Sequence, residues 1–230
     1  MIYTKKLLLA VLFFSTYTLF AQQPPVISSE SGSIRILTFN SVNKSESKIE
    51  GSPYYQEKFL KAYVSSLDTV MDIRYNVAND EMEVEYNGNV GQIVKNDSLI
   101  IKFQHTNKTY QYLFYSYKDE IERGYLIPST SNKNVNFFIK ENIKLIPFSE
   151  GTLSYGQKTE GRPAYYKKDD SIYFLQYSNS IKEMPSKKKE LLKMFPNNEK
   201  EIETFLKTNK ISFKDEEDLI LLVNYLDTLN

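Results

Sequence analysis

Few side chains in this 230-residue chain are of types that do chemistry in fixed patterns. His105 is the single histidine, and there is no cysteine. That excludes the common zinc ligand sets and thiol nucleophiles, unless a partner supplies the missing groups. By alternation His105 falls on the face of Leu99, Ile101 and Phe103, at the end of a strand, where a rim or core role is the plain expectation. Glu81, Glu83 and Glu85 line one face of another strand. Such oxygens can bind calcium with help from a neighbouring strand; the simpler reading is a solvated sheet face, with Arg74 across the hairpin as counter-charge. Asp215, Glu216, Glu217 and Asp218 occupy the first turn of a helix, where acids complement the helix dipole without a ligand. Lys187, Lys188 and Lys189 stand near a helix start, which the dipole does not favour. An exposed charged patch is the plain reading there, and contact with phosphate or anionic lipid the sharper one.

Any two of the 29 acidic residues can meet in a fold, so carboxylate-pair catalysis of the glycosidase type stays open, with no spacing rule to choose the pair. The absence of Trp weighs against a sugar-stacking platform, although Tyr can substitute. There is no glycine-rich phosphate loop, no GxSxG and no HExxH. In the stretch Gly151 to Gly156 the first glycine is one residue too far from Ser154 for a nucleophile elbow. The sequence therefore assigns no catalytic residue, no metal ligand and no cofactor. Its candidate ligand-binding residues are the tyrosines of one strand, Tyr110, Tyr112, Tyr115 and Tyr117.

The element that must position them is an antiparallel meander from Asp68 to Tyr117. Asn79-Asp80, Asn87-Gly88, Asn96-Asp97 and Asn107 punctuate it at roughly ten-residue intervals. Met71, Ile73, Tyr75 and Val77 share one face and Asp72 and Arg74 the other; Met82, Val84 and Tyr86 then point inward. Asn87-Gly88 is the strongest hairpin signal, because a type I′ turn needs positive φ at both central positions. Gly91 is a candidate bulge. Thr109 to Tyr117 is aromatic on both faces and so should be covered on both. The C-terminal helices are the expected cover for the second face.

Around the meander, Ile34 to Phe39 reads as a first strand and 40–52 as a loop. Phe59 to Val64 reads as a strand turning at Ser65-Ser66, although Tyr55, Phe59, Leu60 and Tyr63 also fit helical spacing. Further strands are predicted at Glu122 to Ile127, Val135 to Lys140 and Ile143 to Ile146, and a last one at Ile172 to Tyr177. The tail is helical. Ser186 opens a helix that Pro196 stops, Asn198 with Glu201 makes a capping-box-like start for a second that ends at Asn209 in the left-handed position, and Ser212 and Asp215 open a third. The predicted fold is α+β: a mainly antiparallel meander, as sandwich or partial barrel, with a C-terminal helical segment. Its divisions are a signal peptide over 1–21, a flexible lead-in over 22–33, a β domain over 34–180 and the helical segment over 181–230.

Lys5 and Lys6 followed by the apolar run Leu7 to Phe20, then Ala21, have the form of a signal peptide, with an uncleaved N-terminal anchor as the alternative. Export to the periplasm, to an outer-membrane-associated site or to the medium follows. A bacterial lipoprotein needs a cysteine, so that route of anchoring is excluded. No later stretch is long and apolar enough for a second span. With the leader removed, acids exceed bases by only two, which argues against a nucleic-acid partner.

Gly51-Ser52-Pro53-Tyr54, Arg74-Tyr75-Asn76 followed by Asp80 to Val84, Gly124-Tyr125-Leu126 and the lysine-rich tail helices resemble, in the same order, a family of uncharacterised secreted proteins of Bacteroidetes bacteria. The resemblance implies export and a sheet-then-helix layout, and it supports Phe59 to Val64 as strand. It assigns no activity and no site residue. From the residues themselves three readings stand: a non-enzymatic binding or interaction module of the cell envelope, with an envelope protein or glycan as partner; a carboxylate-based enzyme acting on a glycan or other envelope component; and a structural accessory subunit.

Overall fold

The structure is a computed structural model and describes residues 26–29, 32–38, 49–97, 99–151, 153–154, 157–158 and 160–229. The predicted signal peptide lies outside the described residues. Among the described residues sixteen strands precede three helices: β1 (Val26–Ser29), β2 (Gly32–Thr38), β3 (Leu60–Val64), β4 (Thr69–Asn76), β5 (Glu81–Tyr86), β6 (Asn89–Ile93), β7 (Ile100–Phe103) and β8 (Thr109–Tyr117) come first. Next are β9 (Glu120–Pro128), β10 (Asn136–Lys140), β11 (Ile143–Ile146), β12 (Leu153–Ser154), β13 (Gln157–Lys158), β14 (Tyr165–Lys168), β15 (Ile172–Tyr177) and β16 (Ser180–Glu183). The tail forms α1 (Lys188–Met194), α2 (Glu199–Thr208) and α3 (Glu216–Thr228). The fold is thus α+β, mainly antiparallel and partly barrel-like, with its helices at the C-terminus. Among the described residues no helix is long and apolar enough to cross a membrane.

Turn chemistry fixes the register of the meander. Asp68, Asp80, Asn87, Gly88 and Asn107 all have positive φ, a conformation that Gly, Asn and Asp tolerate best. Asn87 and Gly88 are the two central residues between Tyr86 and Asn89, which pair directly, as a type I′ turn requires. Two hairpins without such a signal, at Lys118-Asp119 and Ser178-Asn179, adopt the same positive φ at both positions. The second of these leads into β16, so the last strand is β16 and not Ile172 to Tyr177. Gly91 sits in uninterrupted register opposite Val84 and makes no bulge. Val26–Ser29, within the expected lead-in, pairs with β2.

The strands run in the order β1-β2-β6-β5-β4-β3-β7-β8-β16-β15-β10-β9, and β9 also pairs with β8. The pairings β8–β9, β9–β10, β10–β15, β15–β16 and β16–β8 therefore close a ring of five strands. Only its last contact, Lys182 opposite Ser116, is parallel. Three apolar cores follow. Ile73, Met82, Val84, Ile101, Tyr110 and Tyr125 fill the curved meander. Tyr115, Leu126, Phe138 and Phe174 fill the ring. Val135, Phe137, Ile139 and Leu175, on the opposite face of β10 and β15, pack against the helices through Leu191, Ile202, Leu219 and Leu222. The second face of β8 is consequently covered by ring strands. The helices cover β10 and β15 instead, because closure of the ring leaves those two strands with an apolar outer face (alternate residues along one strand point to opposite sides).

Helix starts differ in detail. Asp215 caps α3, its carboxylate accepting from the Asp218 amide. Lys187, not Ser186, is the N-cap of α1, and Asn198 makes no side-chain capping bond to α2. Asn209 is right-handed at the end of α2, and Lys210 takes the positive φ.

Candidate functional site

Beneath a strap formed by residues 49–59, the meander borders a cavity of about 60 Å³, room for about two water molecules. Leu60 of β3, Tyr75 of β4, Val77, Phe103 of β7 and Tyr110 of β8 form its walls. The rings of Phe103 and Tyr110 meet edge-on at 5.6 Å, and those of Tyr75 and Tyr110 lie 4.9 Å apart. Tyr55 and the exposed Lys58 stand at the strap side, and Lys108 reaches in from the β7–β8 turn.

Glu141, buried in the link between β10 and β11, is the carboxylate of this cavity. It accepts a hydrogen bond from the Tyr110 hydroxyl at 2.8 Å and from Lys108 Nζ at 2.5 Å. Burial, then the neighbouring Glu141 charge, raises the Tyr110 phenol well above its ordinary value, so it stays a neutral donor. Glu141 is thus compensated by one charge and one hydrogen bond. Lys58, Arg74 and Lys108 outnumber Glu141 in the lining, which gives the mouth a positive bias.

The strap is held down by Arg74. Its guanidinium lies between the Tyr54 and Phe59 rings, at 4.2 and 4.4 Å from their centroids, and donates to the Glu57 carbonyl at 3.2 Å. On its other side it pairs with Glu83 at 2.6 Å, directly across the β4–β5 ladder. Glu83 also accepts from Tyr54 at 2.9 Å and from Asn76 at 3.1 Å and is only 8% exposed. The expected solvated glutamate face is corrected at this residue: Tyr54 and the strap cover it. Glu85 remains exposed, whereas Glu81 contacts Gln92 and has its carboxyl raised, first by burial. Among the described residues no group of three His, Cys, Asp or Glu side chains is placed to hold a metal.

The tyrosines singled out on β8 do not form one site. Tyr110 and Tyr112 pack with the meander core, and Tyr110 lines the cavity. Tyr115 and Tyr117 turn into the ring, against Phe174. His105 is exposed in the β7–β8 turn, away from the strand face expected for it. Lys188 pairs with Glu203 at 2.9 Å. A shallower depression of about 480 Å³ lies where Phe205 and Tyr225 stack between α2 and α3. Two of its polar side chains, Thr204 and Asn209, are spent on carbonyls of their own helix. Glu141, Lys108 and Tyr75 carried no sequence signal as site residues. Only the spacing of Tyr75 and Tyr110 on inward faces hinted that they share one interior.

Compared with protein-family models, curated proteins and solved structures, the chain matches none.

Proposed function

We propose that this chain is an exported, non-enzymatic binding module of the bacterial cell envelope, and that the cavity beneath the strap receives a small group projecting from its ligand. The observation that carries this reading is the cavity itself: a preformed space with aromatic walls and a cationic rim. Its volume fits only an end group, so the body of the ligand rests outside, at the mouth. Lys58 favours a carboxylate or a hydrogen-bonding acyl group, as found on envelope glycans and their peptides, whereas Lys108 is paired with Glu141. The aromatic face first considered for binding is less suited, because Tyr110 and Tyr115 are buried.

The alternative of a carboxylate-pair enzyme draws less support, since among the described residues Glu141 is the one acid lining the cavity. The accessory-subunit alternative draws support from Phe114 and Ile121, which are 57% and 83% exposed on the outer side of the β8–β9 hairpin.

The test is equilibrium retention of soluble envelope glycan and peptide fragments by the mature chain, read by mass spectrometry, against Val77→Phe and Lys58→Glu. Retention by the parent, lost on filling the cavity and weakened on reversing the rim charge, is the expected result. Equal retention by all three moves the site elsewhere. No retention, together with one dominant protein cross-linked through the β8–β9 hairpin, replaces this reading with the accessory subunit.

A further inference from the structure

Asp80 and Lys140 come from separate parts of the fold, 60 residues apart in sequence. Asp80 sits at the β4–β5 turn with φ of 55°. Lys140 ends β10, on the face of Phe138 that looks into the ring. Their side chains meet with Nζ 2.9 Å from Oδ1, and they are 16% and 20% exposed for Lys140 and Asp80 respectively. The Asp80 carboxyl is gripped on the same side by the Tyr75 hydroxyl, which donates to Oδ1 at 2.5 Å, and by the Tyr125 amide, which donates to Oδ1 and Oδ2 at 3.2 and 3.3 Å. Lys95 Nζ stands 3.9 Å from Oδ2. The Tyr115 ring lies beside the amine, its centroid 5.6 Å from Nζ. The pair is seated over Gly124, where a Cβ atom would lie 2.5 Å from Oδ2 and 2.7 Å from Nζ.

This is more than a lysine and an aspartate in contact. The nucleophile and the carboxyl are fixed at van der Waals range in a largely dry, aromatic setting, and the carboxyl already has two donors aimed at Oδ1, where charge develops when an amine adds to a carboxyl carbon. We propose that Asp80 and Lys140 condense to an intramolecular isopeptide bond. Lys140 Nζ adds to Cγ of Asp80 and forms the new C–N bond. The Tyr75 hydroxyl and the Tyr125 amide hold Oδ1 through the tetrahedral intermediate. The Cγ–Oδ2 bond breaks. Before addition the ammonium passes one proton to the Asp80 carboxylate that it contacts at 2.9 Å, which frees the amine lone pair; its second proton follows once the C–N bond has formed, and both end on Oδ2, which leaves as water. No oxidant, reductant or outside reactant is required. The bond ties the meander to the ring covalently in a chain that has no cysteine from which to make a disulfide.

The experiment is intact mass measurement of the folded mature chain, with its N-terminus read on the same sample, followed by proteolytic mapping. The expected mass is lower than that of the linear sequence by one water, and the Asp80 and Lys140 peptides are recovered as a single branched species. Asp80→Ala and Lys140→Arg each restore the full mass. Full mass with two separate linear peptides makes the contact an ion pair and overturns the proposal. So does a water loss confined to the Asp80 peptide alone, which is a cyclic imide between Asp80 and Glu81.

Discussion

Arg74 is held by a carboxylate on one side, aromatic rings above and below, and a carbonyl at its tip. Removing it would leave Glu83 buried with only Tyr54 and Asn76 as donors, and an unpaired buried charge is costly. Arg74→Ala should therefore destabilise the fold by about 3 kcal/mol, in the range for breaking a buried pair, seen as a lower urea midpoint at unchanged slope. The double variant Arg74→Met, Glu83→Gln should recover part of that loss, since neither charge then needs a partner; a double variant no better than the single one would show that the ring stacking, not the charge, matters. The tyrosines follow another rule. Burial is the first cause that raises the phenols of Tyr75, Tyr110, Tyr115 and Tyr125 above the ordinary value of 10.0. A folded-state value above the unfolded one gives stability that is complete below pH 10 and is lost as pH rises beyond it, because the unfolded chain then releases protons the folded chain keeps. Phenolate absorbance from these four should appear only together with loss of the β-sheet circular dichroism signal. Full tyrosine titration before that loss would contradict their burial.

At the level of elements, α3 meets the ring through its apolar face and, at the entrance to β10, through one carboxylate. Asp227 accepts hydrogen bonds from the amides of Asn134 at 2.6 Å and Val135 at 2.9 Å, at the entrance to β10. Those bonds, Asn134 first, lower its carboxyl below the ordinary 3.8. A lowered folded-state value contributes stability that is present above the unfolded value and fades as pH falls through the folded one. The stability gap between the parent and Asp227→Asn should thus be widest near neutrality and narrow in acid; a gap independent of pH would mean the amides do not sense the charge. The reason this fastening was illegible in the sequence is that both partners are far apart in the chain and neither belongs to a local motif. What local chemistry governs was legible. Asn87-Gly88 specified its turn, the alternation from Met71 to Val77 specified the buried face, and Asp215 specified a helix start. Lys118-Asp119 and Ser178-Asn179 make the same kind of turn with residues that do not announce it, because tertiary pairing on both sides imposes the positive φ. The cavity was invisible for a like reason: Glu141 and Lys108 meet only because β7, β8 and the β10–β11 link converge.

Over the whole molecule, three apolar cores share strands rather than standing side by side. β8 and β9 give one face to the meander core and the other to the ring; β10 and β15 give one face to the ring and the other to the helices. No core can be dismantled without stripping a face from strands that another core needs. Unfolding should then be a single transition, despite a sheet region and a helical region that follow one another in sequence. Ile73→Ala in the meander and Leu222→Ala in α3 remove side chains that are fully buried, and each should cost about 2–5 kcal/mol, the range for such truncations. The sharper expectation concerns which signals move. Near-ultraviolet tyrosine signals, which report mainly on the sheet, and far-ultraviolet helix signals should shift by the same amount in both variants. If Leu222→Ala melted the helices early while the tyrosine signals held, the ring would be closed and stable without its outer cover. The apolar outer face of β10 and β15 argues against that, since Val135, Phe137 and Leu175 would be left facing water.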